Sequence, residues 1–151
     1  MSRMDPFTVA PEGYTALVNV ETYLQTCGLE RRLLAMVKIR VSQINGCAYC
    51  LHMLTQEALK AGEQPVRIYL LNAWHESALY SVRERAALEW AESLTNISQT
   101  HAPDRTYVEV RRHFSEKELA DFSIAIAMIN AWNRLSIGTR AEHPSDRALA
   151  A

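Results

Sequence analysis

No stretch of this 151-residue chain approaches the ~20 consecutive apolar residues needed to cross a bilayer. Its start, Met1-Ser-Arg-Met-Asp-Pro, lacks the apolar core of a secretory signal. The chain also lacks an excess of either charge: 16 Lys and Arg stand against 17 Asp and Glu, a formal net charge of −1. That balance removes the electrostatic case for nucleic acid or an anionic membrane as partner. Cysteine is scarce, and three is an odd count that does not make a secreted disulfide framework. These absences predict a cytoplasmic protein in a reducing compartment, where a cysteine pair is expected to be catalytic rather than structural. No strand-like alternation stands out, and no repeat, linker or low-complexity segment interrupts the chain.

What is present is ordinary globular composition, 48% hydrophobic and 22% charged, with enough length to bury a core. A single domain over 1–151 is expected, with its core at about 17–137. Helical punctuation recurs from end to end. The expected helices run from about Pro11 to Thr26, from Glu30 to about Ile44, and from Cys47 to a stop at Gly62. A further short helix is expected from Pro65 to Trp74 and another from Pro103-Asp104 to Phe114. Ser81-Val-Arg-Glu84 and Ser115-Glu-Lys-Glu118 read as capping boxes that open two more. The last helix is apolar on nearly every side from Phe122 to Trp132, which makes it either the central post of a bundle or part of a subunit interface. A symmetric homo-oligomer is expected on that basis, and a loose polar tail at about 140–151.

The chemistry concentrates in Ile44-Asn45-Gly46-Cys47-Ala48-Tyr49-Cys50. If Gly46 ends one helix and Cys47 opens the next, the two sulfurs lie about one turn apart on one face. The unpaired N–H groups of a helix start favour thiolate over thiol, most strongly at Cys47. A dithiol that ionises and closes easily is a redox device. Half of a zinc site and a pair of buried core cysteines remain the alternatives. Cys27, beside Gly28, reads as a small hydrophobe near a helix end.

The stretch Lys38-Ile-Arg-Val-Ser-Gln-Ile-Asn-Gly-Cys-Ala-Tyr-Cys50 resembles the AhpD-like alkyl hydroperoxidases of the carboxymuconolactone decarboxylase family. Ala73-Trp-His-Glu-Ser77, Arg83-Glu-Arg-Ala-Ala-Leu-Glu-Trp-Ala-Glu92 and Ile129-Asn-Ala-Trp-Asn-Arg134 extend the likeness, in the family's order, over roughly 17–137. The resemblance implies an all-α, AhpD-like helical bundle whose protomers pair and assemble as dimers, trimers or hexamers. It implies reduction of an organic hydroperoxide or other peroxide, with an external dithiol as electron donor and no metal or organic cofactor. It implies that Cys50 attacks the O–O bond and becomes a sulfenic acid, which Cys47 resolves to a disulfide.

Two residues of the family's proton relay are replaced. Alignment on the C-x-x-C puts Ala35 at the glutamate position and Leu54 at the histidine position, and neither side chain moves a proton. His52 is the nearest remaining imidazole, although two residues past Cys50 it points to another side of a helix. The alternatives are therefore a redox sensor or oligomeric scaffold that keeps the dithiol without turnover, the family's decarboxylase branch, and a zinc site of Cys47, Cys50 and His52. Tyr49 is expected to line the thiol pocket, and Ser42 and Gln43 to offer hydrogen bonds to a thiolate. His75 is read as packed on Trp74, and Glu84, Glu89 and Glu92 as one solvated face with ion pairs. Asn130, Trp132, Asn133 and Arg134 form a polar cluster in the most apolar helix and must find partners, expected to tie helices across a dimer.

Overall fold

Both capping boxes form, at Ser81 and at Ser115. The Ser81 and Ser115 hydroxyls accept the Glu84 and Glu118 N–H groups, while those glutamates accept the serine N–H groups in return. The computed structural model describes residues 2–143. Among them every regular element is helical. The α-helices are α1 (Pro6–Val9), α2 (Pro11–Thr26), α3 (Arg31–Asn45), α4 (Ala48–Lys60), α5 (Pro65–Tyr69), α6 (Val82–Thr95), α7 (Ile97–Thr100), α8 (Asp104–Arg111) and α9 (Glu116–Thr139). A 3-10 turn at Leu71–Ala73 separates α5 from α6.

Several boundaries differ from the sequence pattern, each for a local reason. The helix expected from Pro65 to Trp74 breaks into α5 and the 3-10 turn. The break turns Leu71 and Trp74 into the core, where Trp74 Nε1 donates to Glu92 at 2.7 Å. α8 stops at Arg111 because Val110 O takes both the His113 and Phe114 N–H groups in a closing turn. The short helices α1 and α7 carry no sequence periodicity that would announce them. From residue 144 the expected polar tail lies outside the described residues.

α9, 24 residues long, packs against α2, α3, α4, α6 and α8 and buries Phe122, Ala125, Ile126 and Ile129. Most of its apolar stretch is covered inside one chain, while Ile124 stays 41% exposed. α9 is thus the central post of the protomer. Glu84 and Glu92 make the expected ion pairs but are only partly exposed. Half-buried Glu84 pairs with Arg67, and Glu92 ties Arg40 of α3 to Trp74, leaving only Glu89 of the three exposed.

Candidate active site

α3 ends at Asn45, and Gly46 follows at φ 69°, a left-handed conformation that a side chain would strain. Gly46 N–H bonds Gln43 O at 3.3 Å and Cys47 N–H bonds Ser42 O at 3.0 Å, the paired bonds that close a helix and reverse the chain. α4 starts at Ala48, so the reversal delivers Cys47 to its N-cap rather than to its first turn, where the sequence pattern put it. There its sulfur accepts the Cys50 N–H at 3.4 Å. The two sulfurs lie 2.7 Å apart as free thiols.

Their surroundings separate charge from access. Cys50, 6% exposed, lines a cleft of about 980 Å³. Cys47 is 1% exposed and does not line it. The sulfur–sulfur hydrogen bond with Cys50 draws the Cys47 pKa down to about 6, against the upward push of burial. The same bond, with burial, drives the Cys50 pKa up. The two thiols titrate as a coupled pair, with ionisation favoured at Cys47 and disfavoured at Cys50.

Two walls face this pair. The wall from α3 and α4 lines the cleft with apolar Leu34, Ala35, Met53 and Leu54 together with Cys50, and with charged Arg31, Lys38 and Glu57. The wall from α9 lines it with Ile129, Trp132, Leu135, Ser136 and Thr139, and its polar side chains act on the sulfurs. Ser136 Oγ lies 3.8 Å from Cys50 Sγ, and hydrogen bonds from Asn133 and Ser136 pull both thiols toward the ionised form. Asn133 is fully buried, and its amide is fixed from both ends. Its Oδ1 accepts from Asn45 Nδ2 at 2.8 Å, and its Nδ2 donates to Ser42 Oγ at 3.0 Å. Asn45 also donates to Asn130, which holds Thr95 and receives Arg134. This cluster ties α3, α6 and α9 within one chain.

The other sequence candidates divide. Tyr49 lines the cleft as expected. Ser42 reaches the thiols only through Asn133, and Gln43 instead accepts from Arg40. Cys27 packs among apolar side chains, its thiol donating to Leu24 O at 3.2 Å. His75 stacks on Trp74 with ring centroids 3.6 Å apart. His52 is not brought to the thiols. It lines a separate shallow pocket with Leu51, Thr55 and Gln56, its ring edge-on to His143 at 4.4 Å. Among the described residues no group of three His, Cys, Asp or Glu side chains is placed to hold a metal ion.

Sequence reasoning missed Ser136 and the far side of the cleft. There Glu21 of α2 accepts Lys38 Nζ at 2.6 Å and Trp132 Nε1 at 3.0 Å. Tyr14 stands edge-on to Trp132 at 5.0 Å, and Phe7 to Tyr14 at 4.9 Å. The N-terminal segment that carries Phe7 is strapped down by the Arg3 N–H on Thr139 O at 2.8 Å. The one available signal was the three-residue spacing of Asn133 and Ser136, which puts both on one face of α9.

Residues 10–93 match the sequence model of the carboxymuconolactone decarboxylase family. The chain is 43% identical over 141 residues to the uncharacterized protein YdfG of Bacillus subtilis, spanning 92% of this chain and 96% of that one. A protein of unknown function from Agrobacterium tumefaciens, described as a candidate antioxidant defence protein AhpD, superposes with a TM-score of 0.93. It is 39% identical, over 95% of this chain and 99% of that chain. An uncharacterized peroxidase-related protein from Silicibacter sp. TM1040 shares the fold, with a TM-score of 0.76 and 23% identity over 85% and 69% of the two chains. An all-α AhpD-like fold, a helix-capping C-x-x-C and a match over more than half the sequence converge: the chain belongs to the carboxymuconolactone decarboxylase family.

Proposed function

We propose that the protein is a dithiol oxidoreductase that reduces an organic hydroperoxide in the cleft, with Cys50 as the attacking thiol and Cys47 as the resolving one. The observation that carries the reading is the pair itself: two unbonded sulfurs 2.7 Å apart, one of them opening on a cleft of about 980 Å³. Attack needs access, and only Cys50 lines the cleft. Resolution needs a nearby thiolate, and ionisation is favoured at Cys47. The descriptions of the Agrobacterium protein as an antioxidant defence protein and of the Silicibacter protein as peroxidase-related support the same chemistry. The aromatic side of the cleft, Phe7, Tyr14 and Trp132, suits an apolar organic group on the peroxide.

In this reading two electrons pass from the two thiols to the peroxide, giving an alcohol, water and the Cys47–Cys50 disulfide. An external dithiol then restores the pair by exchange. The test is consumption of cumene hydroperoxide by the pre-reduced protein, first stoichiometric and then with a recycling dithiol. Peptide mapping should find Cys47 joined to Cys50 and Cys27 still free. No peroxide-dependent loss of thiol, or a Cys27 crosslink to either partner, would overturn the reading. The apolar Ala35 and Leu54 beside Cys50 favour a second reading, a redox sensor oxidised once per signal. It is distinguished by stoichiometric oxidation without turnover when the recycling dithiol is present.

A further inference from the structure

We propose that Cys47 is also the general base of the peroxide step: its sulfur takes the proton from Cys50 as Cys50 attacks, then hands it to the departing alkoxide. The proposal rests on the hydroperoxide-reducing reading of the pair and adds a role that a purely resolving thiol does not have. Three observations carry it. The sulfurs are within direct proton-transfer distance at 2.7 Å. The two side chains at the cleft positions where a relay would stand, Ala35 and Leu54, cannot accept a proton. Cys47 is shielded from the cleft, so its charge serves as a base without competing for the substrate.

Apart from the two cysteines, the groups that act on the sulfurs carry no titratable side chain. α2 presents Tyr14 and Glu21, and Glu21 is held by Lys38 and Trp132. α3 presents Lys38 and Arg31, both cations, and α4 presents Tyr49 and Glu57. Asp5 and Glu142 line the cleft from the two terminal segments. α9 presents the uncharged Asn133 and Ser136, with Arg134 turned to Asn130. The hydrogen bonds that act on the two sulfurs come from one another, from the Cys50 backbone, and from Asn133 and Ser136. The lowered pKa of Cys47, about 6, keeps the base ionised at neutral pH.

The step balances. A lone pair of the Cys50 sulfur forms the S–O bond to the distal peroxide oxygen as the O–O bond breaks and its electrons leave on the alkoxide. The Cys50 proton passes to Cys47 and from Cys47 to the alkoxide, giving the alcohol and a Cys50 sulfenic acid. Cys47, again a thiolate, attacks the Cys50 sulfur and expels hydroxide, which leaves as water after taking a proton from solvent.

The test measures single-turnover formation of the Cys50 sulfenic acid from cumene hydroperoxide, trapped with a dimedone-type reagent, across pH. In the native protein the rate should rise through about pH 6 and level above it. Cys47→Ser should slow the attack itself at least roughly tenfold at neutral pH and move the rise toward the ordinary thiol range. Cys47→Asp, which keeps an N-cap acceptor and supplies a carboxylate, should recover most of the neutral-pH rate with its rise at lower pH. If Cys47→Ser does not fold, the Asp variant decides alone, and an unshifted rise there defeats the proposal. Full-speed trapping in Cys47→Ser defeats it too while leaving the peroxidase reading intact. A native protein that forms no sulfenic acid at any pH defeats both.

Discussion

The two walls that meet the thiol pair differ in what they offer its sulfurs. α3 and α4, which carry the cysteines and lie next to them in sequence, offer Ala35 and Leu54, side chains with no proton to exchange. α9, more than 80 residues downstream, offers Asn133 and Ser136, fixed donors that stabilise a charge but do not move one. The difference teaches that stabilising a thiolate and moving protons are separable tasks. Here the amide network does the first, and the second falls to the sulfur pair under the proposed function. Burial explains why the polar side chains of α9 must be so completely bonded. A buried amide with an unmet donor or acceptor costs about 1–3 kcal/mol, and Asn133 is engaged at both its oxygen and its nitrogen.

The sharpest way to break the comparison is to remove the sulfur at the cleft. Cys50→Ser should reduce hydroperoxide consumption to the uncatalysed level in a thiol-loss assay. It should also let the Cys47 pKa rise from about 6, because the hydrogen bond with Cys50 is its largest downward cause. Peroxide consumption that survives in Cys50→Ser but not in Cys47→Ser would exchange the two roles and make charge, not access, the deciding property. The next effect comes from the α9 wall. Asn133→Leu strips Ser42 and Asn45 of a buried partner and should lower unfolding stability by about 2 kcal/mol in urea titration. Ultraviolet thiolate absorbance should place the Cys47 titration at higher pH, since the Asn133 hydrogen bond favours the ionised form. A stability loss with an unmoved titration would confine Asn133 to packing.

A smaller effect is expected from changing the α3 and α4 wall. Ala35→Glu with Leu54→His restores a carboxylate and an imidazole at the two cleft positions. In the native background the neutral-pH peroxide rate should rise only a fewfold, because the thiol pair already carries a base of pKa about 6. In the Cys47→Ser background the same double substitution should rescue at least about tenfold, because the base is then missing. Equal gains in the two backgrounds would show that Cys47 contributes nothing to proton transfer.

The sequence was readable where chemistry is local. The capping boxes at Ser81 and Ser115, the Gly46 stop and the spacing of Cys47 and Cys50 each act within a few residues, and each forms as the pattern indicates. The all-α fold follows from such signals repeated along the chain. What escaped depends on distant contact. The apolar stretch of α9 reads the same whether it faces five neighbouring helices or a second subunit, and only the packing distinguishes them. Asn133 and Ser136 reach the cysteines across more than 80 residues, so their bearing on the thiols leaves no mark in the motif. Glu21 closes the cleft through Lys38 and Trp132, a triangle whose corners lie on three helices. The break after Tyr69 likewise answers to Glu92, which Trp74 reaches only in the folded chain.

The smallest effect is expected on the side of α4 that faces away from the cleft. His52 was a sequence candidate because it follows Cys50 so closely, yet two residues along a helix is a rotation of about 200°, onto another face. The structure sets it among Leu51, Thr55 and Gln56, edge-on to His143, while the cleft side of the same helix carries Cys50, Met53, Leu54 and Glu57. His52→Ala should therefore change the single-turnover rate by less than about twofold at any pH, well short of the loss that follows removal of a general base. Its cost in urea unfolding should stay within about 1 kcal/mol, the scale of one ring–ring contact at a partly exposed position. A tenfold rate loss in His52→Ala, with stability unchanged, would place a proton path on the outer face of α4. That result would remove the need for Cys47 as the base.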